Sequence, residues 1–415
     1  MTSVPAAAPA ASPLPISPMG DAMPSEAPAY PPTSPSAPMP EVVSKSHLAV
    51  ADRQRLATAI VYCEANFGEV DGKTANGLVR HSEKYDIVAV IDSHQAGLDS
   101  GIVLDDEPNA IPICFDLEAA LAHADRVPDC FIFGIAPSSG MLSVNERALL
   151  LKAIGLGMDV VSGLHEFLAD DPEFAAASAA NGVLIRDVRK PRATKDLRVF
   201  SGRISEVECP RIAILGTDCA IGKRTTATIL TQALREQGLK AVMVGTGQTG
   251  LMQGARYGVA LDAVPTQFCA GELEATIIEA YEAEKPDVII IEGQGALSHP
   301  AFSTSSFILR GSCPQAVILQ HAPGRAHRCD FPSMAMPEPR SEIELIETFA
   351  DTRVIGLTIN HENMDEAQVD AAIGQYEREF GLTTTDALTR SPSSLVDMVL
   401  TAFPKLAGIS SAATR

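Results

Sequence analysis

RIAILGTDCAIGKRTT, residues Arg211–Thr226, decides the fold. Four apolar positions, Ile212 to Leu215, run into Gly216. A short polar turn follows, then Gly222, Lys223 and a helical run from Thr225 to Gln237. Strand, glycine-bounded loop and helix in that order are what a phosphate-binding loop requires. Inward-facing amides, the positive end of the helix and the Lys223 ammonium suit an anion. Gly222 can take positive φ and lets a phosphate approach the backbone. Gly216, Thr217, Ala220, Gly222, Lys223, Arg224 and Thr225 are therefore the candidate cofactor-binding residues.

Two departures matter. The strict motif leaves four residues between its glycines, whereas five separate Gly216 from Gly222. The lysine is normally followed by a Ser or Thr that ligates magnesium. Here Arg224 stands there and Thr225 comes one place late. Anion binding is expected; ATP with magnesium is possible but disfavoured.

The chain has 415 residues, enough for two or three domains. Its 32 basic and 52 acidic residues give a net charge of −20, which argues against a nucleic-acid partner. Aromatics are only 5% and tryptophan is absent, so stacking on single strands is not expected either. The eight cysteines form no CxxC pair, which suggests neither a metal site nor a disulfide framework and fits a reducing cytoplasm. No apolar run approaches the ~20 residues of a membrane span, and no signal peptide is recognised, so no membrane partner is expected. We expect a small-molecule substrate and assembly as a homo-oligomer.

Residues 1–50 hold 12 of the chain's 29 prolines and read as a disordered tail. Residues 51–208 read as a Rossmann-like α/β domain and 209–410 as a P-loop-type α/β domain, each a parallel sheet in three layers. In the first, Ala57–Val61 is a strand, Phe67–Glu69 a loop, and Lys73 opens a helix that carries Arg80. Ile87–Ile91 is a second strand closed by Asp92, an acid placed to meet a ribose or a substrate amine. The loop lacks GxGxxG, so dinucleotide binding is only weakly signalled. Ser143 or Asn145 caps the helix that follows. The basic stretch Gly182–Ser205 reads as a solvated linker or a wall of the ligand cleft.

In the second domain, strand Ala241–Val244 empties into GTGQTG, Gly245–Gly250, which suggests backbone close to a ligand. Strand Val288–Ile291 ends in Glu292-Gly293-Gln294-Gly295, with His299 nearby. An acid at that strand tip is placed to handle a proton. Strand Val354–Ile359 leads to Asn360, whose amide both donates and accepts and so suits an adenine edge. Asp365 caps a helix stopped by Gly381.

GTDCAIGK, GTGQTG, IIIEGQGALSHP and LTINHE, with KTANGLVR and GLHEFL, resemble a two-domain family of domain-of-unknown-function or "NAD-dependent epimerase" proteins. Its characterised members are similar to D-glutamate N-acetyltransferases. The resemblance covers about residues 55–400. The P-loop half also resembles dethiobiotin synthetase through Gly216-Thr217-Asp218 and Gly222-Lys223. The resemblance implies acetyl-CoA as co-substrate, and coenzyme A needs no bound magnesium. It also implies attack of an amine on the thioester. Glu292 or Asp218 is then the candidate base, and Gln248 or Gln294 with loop amides the oxyanion donors. Lys73, Arg80 or Arg325 would take the substrate carboxylates and Asp92 the amine. The rivals are an ATP-dependent ligase or kinase, an NAD-linked epimerase and a nucleotide-sensing partner protein.

Overall fold

The computed structural model describes residues 56–135 and 140–413, and the proline-rich stretch read as a tail lies outside them. Among the described residues, short Val- and Ile-rich runs are buried on both faces, the pattern of parallel strands covered by helices.

The first sheet contains β1 (Ala57–Tyr62), β2 (Tyr85–Ile91), β3 (Ile113–Cys114), β4 (Cys130–Phe133), β5 (Asp159–Ser162) and β6 (Ile185–Asp187). All are parallel, in the order β3-β2-β1-β4-β5-β6, the doubly wound order of dinucleotide-binding folds. Its helices are α1 (Lys73–Arg80), α2 (Ser100–Asp105), α3 (Leu117–Leu121), α4 (Val144–Gly155) and α5 (Pro172–Asn181). Ser143 caps α4 in a reciprocal box with Glu146, so the first of the two expected caps is the one used.

The second sheet contains β7 (Arg211–Gly216), β8 (Ala241–Gly245), β9 (Tyr257–Gly258), β10 (Val288–Glu292) and β11 (Ala316–His321). An antiparallel hairpin, β12 (His327–Arg328) and β13 (Phe331–Ala335), follows, and β14 (Arg353–Ile359) and β15 (Thr384–Asp386) complete the sheet. The order is β15-β14-β11-β7-β10-β8-β9, again parallel. Alternation sorts the core: Ala213, Leu215, Ile289 and Ile291 face one side, Ile212, Ile214 and Ile290 the other. The covering helices are α6 (Lys223–Glu236), α7 (Gln248–Gln253), α8 (Thr266–Glu284), α9 (Thr304–Ser312), α10 (Pro339–Phe349), α11 (Glu366–Phe380), α12 (Ser393–Ala402) and α13 (Pro404–Ala413). Asp365 and Gln368 form the box that starts α11, and Gly381, at φ 65°, stops it.

One expectation is corrected and a second refined. GTGQTG is not an open ligand loop: its second half is α7, pressed into the first domain. Thr74 and Thr249 share a hydrogen bond of 2.8 Å, the Gln253 amide donates to the Gly77 and His81 carbonyls, and Met252 joins the first core. Burying that methionine contributes about 1.5–3 kcal/mol. The basic stretch is a linker, exposed at Lys190, Arg192 and Lys195, but two of its arginines are tied down. Arg186 lies in β6, Arg189 meets Asp262 at 2.9 Å, and Arg198 meets the buried Glu272 at 3.0 Å. It is a strap that fastens the two halves through carboxylates of the second. Among the described residues no helix is long and apolar enough to cross a membrane.

Candidate active site

β7 is central in its sheet, with β10 on one side and β11 on the other, so the loop after it opens between two strand tips. Residues 217–222 form that loop. Ala220 (φ 50°) and Gly222 (φ 99°) are both left-handed, which rotates successive amides to one side. For Ala220 that conformation costs roughly 1–2 kcal/mol.

The carbonyls of the loop point to cations. Lys223 Nζ donates to the Asp218 carbonyl, Arg325 donates to those of Cys219 and Ala220, and Arg328 Nη1 donates to that of Thr217 at 3.2 Å. The amides of Asp218 through Gly222 have no acceptor among the described residues. The loop is thus sorted by polarity: the carbonyls of residues 217–220 are held, and the amides of residues 218–222 are not. Lys223 is buried at the start of α6, and burial lowers its pKa to about 8. Cys219 stays a thiol, because burial raises its pKa although Lys223 opposes.

No hydroxyl stands where a magnesium ligand is usual. Thr226 Oγ1 donates to Gln320 Oε1 at 2.6 Å, and Thr358 donates to the same atom. Arg224 turns away from the amide cradle. Its guanidinium lies against Gly77 of α1, where an added Cβ would come within 2.5 Å of Nη2. It makes no hydrogen bond among the described residues, and its strongest charge partner is Glu292. Thr225 is half-buried and also makes none.

Glu292 sits beneath α7. Its Oε2 accepts from the amides of Thr246 (2.9 Å) and Gly247 (3.3 Å), while Oε1 receives no hydrogen bond from the described residues. Only a glycine at 250 leaves room, since a Cβ there would lie 2.4 Å from Oε2. Burial raises the Glu292 pKa above the ordinary carboxylate value, opposed by Arg224 and the two amides. The other candidate base, Asp218, is fully buried. Its Oδ2 accepts from Arg325 (3.1 Å) and the Cys329 amide (2.7 Å).

Several assignments change. Glu292 takes the Thr246 and Gly247 amides and Gln294 donates to the Thr246 carbonyl, so these donors are spent, whereas Gln248, packed on Gly163, makes no hydrogen bond among the described residues and keeps its donor. Asp92 accepts from the amides of Phe67 (3.1 Å) and His94 (3.0 Å), which occupies both its oxygens with loop closure rather than an amine. Arg80 is committed to Asp105 at 2.7 Å. Arg325 is a strut between Asp218, the loop carbonyls and Glu362 rather than a free carboxylate receptor. Asn360 lies beside Gly222, with Nδ2 3.8 Å from where a Cβ would sit, but its Oδ1 already accepts from the Glu362 amide, so only its donor is open. Lys73, at the start of α1, is exposed, has no carboxylate within ion-pair distance among the described residues, and acts electrostatically on Cys219. Its helix therefore lies over the phosphate loop.

Arg328 escapes the sequence reading, which notes His299 only as a neighbour of Glu292, without a role. Arg328, in the hairpin, holds the Thr217 carbonyl and Ser298. His299 comes within 3.6 Å of Asp218. A basic residue in a loop between strands and a lone histidine carry no spacing signal that marks such contacts.

Fold and site define a two-sheet α/β protein with a P-loop-type strand–loop–helix at the centre of the second sheet. The chain belongs to the DUF1611 family: residues 198–396 match its P-loop domain of unknown function and residues 93–191 its Rossmann-like domain of unknown function. A D-glutamate N-acetyltransferase of Pseudoalteromonas sp is 32% identical over 272 residues, 64% of this chain and 80% of that protein. One of Tritonibacter scottomollicae is 30% identical over 272 residues, 64% and 79% respectively. A crystal structure of a DUF1611 family protein from Anabaena variabilis is 34% identical, covers 83% of this chain and 99% of its own, and superposes with a TM-score of 0.77.

Proposed function

We propose that this protein transfers the acetyl group of acetyl-CoA to the amine of an acidic amino acid, D-glutamate being the expected acceptor. The observation that carries the reading is the sorted loop. Five consecutive amides have no acceptor among the described residues, the buried Lys223 ammonium lies against the same loop, and no hydroxyl stands at the magnesium position. Such a cradle suits a diphosphate that arrives without a metal, as in coenzyme A. The relatives named D-glutamate N-acetyltransferase support the choice of reaction and acceptor.

In this reading the diphosphate sits on the amides of residues 218–222 and Lys223, and the Asn360 donor meets the adenine. Glu292 Oε1 takes the ammonium proton. The freed nitrogen pair attacks the thioester carbonyl and a C–N bond forms; the nitrogen then sheds its second proton as the C–S bond breaks, and the released thiolate takes that proton up. A base with a raised pKa is matched to that proton. Lys73 and Arg224, two cationic side chains near the loop with no carboxylate within ion-pair distance among the described residues, receive the substrate carboxylates.

The test is thiol release from acetyl-CoA against a panel of D- and L-amino acids. D-glutamate should release thiol in the presence of a metal chelator. Hydrolysis of magnesium–ATP with no thiol release from any amino acid would reject the proposal in favour of the ligase or kinase reading.

A further inference from the structure

The loop after β10 touches the phosphate loop through an unfinished contact. His299 Nε2 lies 3.6 Å from Asp218 Oδ1. Both atoms are sealed from solvent, and neither has a hydrogen-bond partner among the described residues. Buried polar atoms are almost always paired, so two facing orphans are a signal.

The chemistry of the histidine can be read from its other nitrogen. Nδ1 accepts from the amides of Ala301 and Phe302, each at 3.2 Å. Its lone pair is therefore used, and the proton of the neutral ring is on Nε2. The ring is stacked on Phe302 at 4.8 Å and edge-on to Phe331 at 5.5 Å, which fixes its plane. Burial holds its pKa below the ordinary imidazole range. Lys223 on the phosphate loop and Arg328 on the hairpin act in the same direction, and Asp218 and Asp330 oppose. His299 is thus a neutral donor whose N–H points at a carboxylate.

Asp218, Cys219 and His299 offer donor atoms within 4.8 Å of one another, as a metal site would. The tautomer argues against one. A metal needs the Nε2 lone pair, which would move the ring proton to Nδ1, against two amide hydrogens. Cys219, moreover, is held as a thiol.

We infer that His299 is a positioning residue for the phosphate loop: when an anion fills the amide cradle, its Nε2–H closes onto Asp218 Oδ1 and locks the Asp218–Lys223 segment in its working geometry. A shift of under 1 Å suffices, since an N–H···O⁻ contact settles near ~2.8 Å. The carboxylate then has donors on both oxygens, Arg325 and Cys329 on one and His299 on the other. No covalent bond changes. What this closure serves in catalysis rests on the acyl-transfer reading; the closure itself does not.

The experiment uses the full chain labelled with ¹⁵N-histidine. Long-range ¹H–¹⁵N spectra are recorded from pH 8 to pH 5, with and without inorganic pyrophosphate, and His299 is assigned by its loss in His299→Phe. The expected result is an Nε2–H ring that stays neutral below the ordinary histidine pKa of ~6.5. Its Nε2 proton should move downfield on adding pyrophosphate. An Nδ1–H ring, a protonation midpoint near 6.5, an unmoved proton with pyrophosphate bound, or stoichiometric Zn²⁺ uptake that removes the Nε2 proton would each overturn it. In turnover, His299→Phe should lower kcat roughly 10–100-fold, the scale of one hydrogen bond to a charged group, with KM for acetyl-CoA changed less than about twofold. His299→Gln, which keeps a donor, should recover most of the loss. Equal loss in both variants would reduce His299 to packing. Absence of acetyl transfer in the unsubstituted protein would reject the acyl-transfer reading and leave the spectroscopic result to decide the closure.

Discussion

The molecule contains two strand–loop–helix units of the same design, and only one is open. After β1, the loop is closed on itself: Phe67 N donates to Asp92, Gly68 N to Asn76, and Asn66, Glu69, Gly72 and Lys73 donate to carbonyls of the same loop. After β7, the five amides of residues 218–222 donate to nothing in the described protein, while the carbonyls of residues 217–220 are held by Arg328, Lys223 and Arg325. Topology is the same kind of parallel α/β in both sheets, so topology does not distinguish a ligand loop from a structural one. The count of unspent donors does. It also argues against the NAD-linked epimerase reading, because the acid at the tip of β2, Asp92, is used up by backbone.

The comparison can be broken or sharpened by substitution. The largest effect is expected at Glu292. Glu292→Gln keeps an acceptor for Thr246 and Gly247 but removes the base, and steady-state kinetics should show kcat lower by roughly 10²–10⁴-fold. Unchanged turnover would move the base elsewhere. Glu292 works only when ionised, and burial raises its pKa. Activity should therefore be full at alkaline pH and fall as pH drops through a midpoint above the ordinary carboxylate value of ~4.3. A midpoint at or below that value would contradict the assignment.

Next in size is Lys223→Ala, which should weaken coenzyme A binding by about 1.5–3 kcal/mol in a calorimetric titration. On the closed side, Asp92→Ala strands two amide hydrogens and should lower unfolding free energy by about 1–3 kcal/mol in urea, with the same coenzyme A affinity. Loss of affinity there would mean that the first loop also touches the ligand. The smallest expected effect is Gly77→Ala. Its added methyl meets the far end of the Arg224 side chain, which must shift. The expected outcome is a few-fold higher KM for the amino acid with the acetyl-CoA KM unchanged.

Much of this was legible in the residues. Continuous apolar runs marked the buried strands, Ser143 and Asp365 announced their helices, and the stretch from Gly216 to Lys223 marked the turn from β7 into α6. What the sequence hid was commitment. Arg80, Asp92, Gln294 and Arg325 have the right chemistry for substrate, but each is engaged by at least one partner 25 or more residues away. The strap of basic residues and the burial of α7 in the first domain were hidden for the same reason. Local pattern gives the type of a residue and its element; which side chains remain unsatisfied depends on contacts between distant segments.

The central claim is that the amides of residues 218–222 and Lys223 hold the diphosphate of an acyl carrier without a metal. Its most direct test is calorimetric titration of the full chain with coenzyme A in a chelator, beside the Lys223→Ala and Asp92→Ala variants. The account predicts saturable binding that needs no magnesium, weakened about 10–100-fold by Lys223→Ala and unmoved by Asp92→Ala. Coenzyme A affinity unchanged by Lys223→Ala, or binding of magnesium–ATP with none of coenzyme A, would contradict it.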